Sequence, residues 1–165
     1  MKTILFIRHA KSSWANIGQA DFDRPLNKRG ENDAEAMAQK LLAKNIVIDS
    51  FISSTALRAK ATCITFAKAY KQLTDIVWVE KLYHAEPPVF YEIIEALPNH
   101  INHIAIFAHN PGITDMANAQ ALQQEYVNMP TCGIYSVQAA IDSWANYEMA
   151  AKEKLFFTYP KELIG

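Results

Sequence analysis

Short apolar runs rich in β-branched and aromatic residues alternate along this chain with amphipathic stretches of helical period. Residues 3–7, 49–53, 76–80, 103–108, 133–138 and 154–158 read as strands. Between the first two, Ala34, Met37, Ala38, Leu41 and Leu42 recur with the period of a helix that buries one face, and Asn27 stands where its N-cap belongs. A second helix follows Ser53-Ser54-Thr55, with Ala56, Ala59, Cys63, Phe66, Ala67 and Tyr70 on one side and Arg58 in its first turn. The pattern predicts a third helix over 88–97 and a fourth starting near Pro111, a residue tolerated at the first helical position. Strands alternating with helices give an α/β fold of three layers, α/β/α, with a mostly parallel central sheet. The longest irregular stretch, 11–26, is of a size that is often functional inside a compact domain.

The chain has 165 residues, half of them apolar, which suits a single domain over 1–165. A formal net charge of -1 and a pI near 6.5 argue against non-specific binding to nucleic acid or to an anionic membrane. Any anion site is therefore local. Cys63 and Cys132 lie in apolar stretches without metal or disulfide spacing, and the pair His100 and His103 lacks a third ligand nearby. The first apolar run is too short for a signal peptide, and no segment is long enough to span a membrane. The expectation is a soluble cytoplasmic protein with no metal, no nucleic-acid partner and no membrane contact.

Arg8-His9 directly follows the first strand, and His109-Asn110-Pro111-Gly112 directly follows the fourth. Arg58 lies just past the end of the second. In open α/β sheets the ligand crevice lies beyond the carboxyl ends of the strands, so the three stretches can converge. Each has an ordinary reading as a surface, cap or loop residue. Arg58 is the least ordinary, because a cation in a helix's first turn opposes the helix dipole. Together, two arginines and two histidines suit a phosphoryl dianion, with helix N-termini as further donors.

The segments from Arg8 to Trp14, from Asp23 to Gly30, from Ser53 to Ala59 and from His109 to Gly112 together resemble the histidine phosphatase superfamily, in particular its small phosphohistidine phosphatase branch of the SixA type. Met129-Pro130-Thr131 and Trp144 also occupy family-like places. The sequence departs from the commoner pattern at Ala10 and Ala108, where many members carry glycine, and neither change removes a chemical group. The resemblance implies a phosphoglycerate mutase-like fold and a hydrolase that needs no metal or other cofactor. It implies that His9 is the nucleophile and that Arg8, Arg58 and His109 hold the transferring phosphoryl group. Ser12 and Asn16 on the following loop, Arg24, and Thr131 before the fifth strand are candidate substrate contacts. Glu86 is the candidate carboxylic acid, with His84 as another possible proton donor; each also reads as an ordinary loop residue. Trp14, Trp78 and Trp144 read as packing residues. A phosphohistidine-bearing protein is the first substrate expected. A small phosphate ester, or a non-catalytic phosphate- or phosphoprotein-binding module, stays open.

Overall fold

The computed structural model describes residues 1–120 and 126–163. Six strands, β1 (Lys2–Arg8), β2 (Ser50–Ser53), β3 (Ile76–Trp78), β4 (His103–Ala108), β5 (Ile134–Ala139) and β6 (Lys152–Thr158), form one sheet in the order β3-β2-β4-β1-β5-β6. β1, β2, β3 and β4 pair in parallel, whereas β5 runs antiparallel to both β1 and β6. The sheet is thus mostly parallel, as the sequence pattern predicts.

Among the described residues, four α-helices cover it: α1 (Lys28–Ala43), α2 (Leu57–Ala69), α3 (Pro87–Glu95) and α4 (Gly112–Gln120). The side chains of β1 alternate between the two faces. Leu5 and Ile7 pack with Met37, Leu41 and Phe66 of α1 and α2, and Ile4 and Phe6 pack with Phe90, Ile94, Ile113 and Met116 of α3 and α4. Because both faces are covered, the strand reads as an unbroken apolar run, and each such side chain contributes about 1.5–3 kcal/mol by leaving water.

Local chemistry sets the element ends. The Asn27 side chain accepts a hydrogen bond from Gly30 N–H at 2.8 Å, the N-cap expected of it. β3 stops at Trp78 rather than Glu80 because its partner in the described sheet, β2, ends at Ser53; residues 80–82 turn into a short 3₁₀ helix. α4 starts just after Pro111, whose carbonyl accepts the Asp115 N–H at 2.9 Å. Two glycines permit close approach of segments around the strand ends. A Cβ on Gly30 would stand 2.0 Å from the Lys11 carbonyl oxygen, and one on Gly112 would stand 1.8 Å from that of Ala85. Among the described residues, no helix is long and apolar enough to cross a membrane.

Candidate active site

β2, β4 and β1 are neighbours in the sheet and point the same way, so their carboxyl ends share one edge. The backbone ladder runs on past those ends. His9 N–H donates to the Ala108 carbonyl at 3.1 Å, and Ser54 N–H donates to that of Phe107 at 3.0 Å. His9, Ser54 and His109 are thereby fixed by the sheet itself, and Arg58 joins them from the first turn of α2. Between them opens a cavity of about 220 Å³. Of the residues expected from sequence, Arg8, His9, Ser12, Arg24, Arg58, His109 and Thr131 line it, and Lys11, Trp14 and Asn110 complete the wall. Four of these are cations, and no carboxylate is among them.

The His9 ring is buried, with Nδ1 2.7 Å from the Ala10 carbonyl oxygen. That oxygen can only accept, so Nδ1 carries the proton and Nε2 keeps its lone pair. Arg58 Nε donates to this Nε2 at 3.2 Å. Burial is the main cause that pushes the His9 pKa down to about 3; the Ala10 hydrogen bond opposes it, and the charges of Arg58, Arg8 and Arg24 add to it. The ring is neutral at ordinary pH, with an unprotonated Nε2 whose lone pair is engaged by Arg58. His109 lies 5.2 Å away between ring centroids, and its pKa is likewise pushed down to about 3, by burial first and then by the neighbouring His9 and Arg58.

Two buried polar atoms of residues in this wall lack a partner among the described residues. One is Arg8 Nε, although Arg8 Nη1 donates to the Met129 carbonyl at 2.9 Å. The other polar atom left over is His109 Nδ1, whose ring is held through Nε2 by Ser54 Oγ at 2.8 Å. Buried polar groups are nearly always paired, so two orphans beside one cationic cavity point to an anion that supplies the missing acceptors.

Asp21 has no place in the sequence reading, yet it organises one side of the site. Its carboxylate accepts from Arg24 Nη1 at 2.8 Å, Arg58 Nη2 at 2.9 Å and Tyr83 Oη at 2.7 Å, and its carbonyl accepts from Arg58 Nη1 at 2.6 Å. Partial burial works against the ionised carboxyl, but the hydrogen bonds from Tyr83, Arg24 and Arg58 hold its pKa well below the usual carboxylate range. Arg58 is buried, and Asp21 supplies the counter-charge that a cation in a first helical turn needs. Arg24 also donates to Ser12 Oγ, and its guanidinium lies 3.3 Å from the centroid of the Trp14 ring. Trp14 is therefore no packing residue: it is 74% exposed at the cavity rim, while Trp144 is buried.

Asn16 and Glu86 stand outside the cavity wall. Asn16 is exposed in the turn closed by Gln19 N–H on its own carbonyl, and Glu86 is exposed at the N-cap of α3 without a side-chain cap hydrogen bond. His84 is exposed too, in a left-handed conformation (φ 61°), its ring against that of Tyr83. Among the described residues, no group of three or more His, Cys, Asp or Glu side chains is placed to hold a metal ion.

The family pattern described as histidine phosphatase superfamily (branch 1) matches residues 4–84. A protein of Arabidopsis thaliana described as uncharacterized and chloroplastic is 30% identical over 87% of this chain and 69% of its own length. An uncharacterized protein of Mycobacterium leprae is 29% identical over 94% of this chain and all of its own length. Among solved structures, a protein of Agrobacterium tumefaciens provisionally named phosphohistidine phosphatase SixA superposes with a TM-score of 0.82 at 25% identity, covering 96% of this chain and 98% of that one. A protein histidine phosphatase SixA complexed with tungstate gives 0.83 at 18% identity, covering 98% and 99%. With strand order, site placement and these likenesses in agreement, the chain belongs to the histidine phosphatase superfamily, and its likeness there is to the SixA-type branch.

Proposed function

We propose that this chain is a metal-independent phosphatase that works through a phosphohistidine on His9 and acts on phosphohistidine in a partner protein. The observation that carries the reading is the pair of orphaned polar atoms, Arg8 Nε and His109 Nδ1, in a cationic wall around a neutral His9. The phosphoryl group enters with its oxygens toward Arg8, Arg58 and His109. Arg58 Nε passes its hydrogen bond from His9 Nε2 to a phosphoryl oxygen, which frees the lone pair for in-line attack on phosphorus. The bond from phosphorus to the leaving group breaks as the Nε2–P bond forms. Water then attacks phosphorus, the Nε2–P bond breaks with its electron pair returning to Nε2, and inorganic phosphate departs as H2PO4− with the oxygen and both protons of that water. Arg8 and Arg58 supply the positive charge that the equatorial oxygens require, which is why no metal step enters. Lys11, Ser12, Arg24 and Thr131 line the approach and are assigned to substrate contact.

The absence of a carboxylate from the described cavity wall favours a leaving group that needs no general acid. An imidazole departs neutral when its ring already carries a proton, whereas an alkoxide has to be protonated as it leaves. That favours a P–N bond over an ester. The tungstate held by a structural neighbour of the same fold is a tetrahedral oxyanion and fits the same reading. We place the activity in the cytoplasm, where the two buried thiols Cys63 and Cys132 stay reduced.

The test is phosphate release in EDTA from a phosphohistidine protein and from a panel of small phosphate esters, with wild type and His9→Ala side by side. The expected result is rapid release from phosphohistidine, a radiolabelled phosphoenzyme trapped on acid-free quenching, and loss of both in His9→Ala by at least about a thousandfold. Faster turnover of an ester would reassign the substrate, and no turnover on anything would leave a binding module.

A further inference from the structure

Ser54 lies at the carboxyl end of β2 with no exposed surface, and its hydroxyl has two neighbours. Ala56 N–H donates to Ser54 Oγ at 3.3 Å, so on that side the oxygen is an acceptor. On the other side Oγ lies 2.8 Å from His109 Nε2. A buried hydroxyl hydrogen needs an acceptor, and among the described residues only the Nε2 lone pair is in reach. The hydroxyl therefore donates to Nε2, and the single proton of the neutral His109 ring sits on Nδ1, the atom left without a partner.

We infer that Ser54 is a positioning residue that locks His109 in its Nδ1–H tautomer, so that His109 meets the phosphoryl group as a neutral hydrogen-bond donor. The inference rests on the proposed phosphatase reading for its purpose, though not for its geometry. It makes the two imidazoles a matched pair. Both carry their proton on Nδ1, but His9 spends that proton on Ala10 and keeps a lone pair, whereas His109 spends its lone pair on Ser54 and keeps a proton. One ring attacks and the other donates. A second buried hydroxyl of the same segment supports the first ring: Thr62 Oγ1 donates to the Arg58 carbonyl at 2.8 Å and accepts from Ala10 N–H at 3.0 Å, which fixes the residue whose carbonyl holds His9. With the wrong tautomer, His109 would aim a lone pair at an anionic oxygen and repel it.

The experiment is long-range 1H–15N NMR of the histidine rings in wild type, Ser54→Ala and Ser54→Thr, together with kcat and KM of each on a phosphohistidine protein. In wild type, His109 is expected to show a protonated Nδ1 and a bare Nε2. Ser54→Ala is expected to shift the ring to a mixture of tautomers and to lower kcat by about 10- to 100-fold with a much smaller change in KM. Ser54→Thr keeps the hydroxyl and is expected to retain the wild-type tautomer and most of the rate. A wild-type His109 protonated on Nε2, or a Ser54→Ala protein that keeps the tautomer and full kcat, overturns the assignment. If wild type turns over no substrate while its tautomer is as stated, the phosphatase reading fails and the Ser54 geometry stands.

Discussion

β1 carries a cation at each end, and the two are treated in opposite ways. Lys2 is almost fully buried, and its ammonium donates to the Asn99 carbonyl at 2.6 Å, the Ile101 carbonyl at 2.9 Å and the Asn102 side-chain oxygen at 3.0 Å. All three of its hydrogens are spent. Arg8, six positions further along the strand, has a buried Nε with no partner, a second cation in Arg58 close by, and a pKa lowered first by burial and then by Arg58. A closed cation holds the chain together; an open one awaits a ligand. Burial alone therefore does not distinguish structure from function on this strand, and the count of unspent donors does.

Several substitutions break or sharpen that contrast. Arg58→Ala is expected to lower kcat/KM by about a hundred- to a thousandfold, read from steady-state phosphate release, because it removes charge from the open end. Lys2→Met is expected to cost about 2–3 kcal/mol in urea unfolding, since the three hydrogen bonds of the buried ammonium are lost, while kcat/KM of the folded fraction stays within about twofold. If Lys2→Met disabled turnover as strongly as Arg58→Ala, the two ends would not differ in kind.

A smaller effect concerns pH. The pKa values of His9 and His109 are lowered to about 3 in the folded chain, whereas the unfolded chain takes up those protons near the ordinary histidine value of about 6.5. Their contribution is therefore fully present above about pH 6.5 and is lost as the pH falls from there towards 3. Each ring approaches about 1.4 kcal/mol per pH unit within that window. Urea midpoints measured between pH 7 and 5 are expected to fall, and His9→Ala is expected to flatten the slope. The smallest expected effect is that of Glu86→Gln, a change of less than about twofold in phosphohistidine hydrolysis, since Glu86 lies outside the cavity wall. A hundredfold loss would make it the general acid after all.

The strands and helices were legible because a sheet covered on both faces writes itself as apolar runs between amphipathic segments, and Asn27 advertises a helix start through chemistry local to three residues. The convergence of His9, Arg58 and His109 was legible for a topological reason: parallel strands deliver their following residues to one edge. The supporting shell was not. Asp21 meets Arg58 across 37 positions and Ser54 meets His109 across 55, and a loop aspartate or a strand-end serine looks the same whether or not such a partner exists. Asn16 and Glu86 mislead for the same reason, being polar residues near the right segments that face water. In sequence Trp14 looks like packing because tryptophan usually is buried; in the fold Arg24 covers one face of its ring and solvent meets most of the rest.

The reversed direction of β5 has a consequence for the order in which the site is put together. β5 borders β1 from Lys2 to Ile7, and the Cys132 N–H just ahead of it lies 3.1 Å from the Arg8 carbonyl and 3.0 Å from that of His9. Because β5 runs against its neighbour, the residues that precede it, Thr131 among them, reach the edge where the other strands finish. During synthesis His9, Arg58 and His109 all leave the ribosome before this latch does. Until it arrives, β1 is an edge strand and the Arg8–His9 backbone lacks its last tether, so the nascent chain holds His9, Arg58 and His109 well before the segment that fastens the first strand has been made.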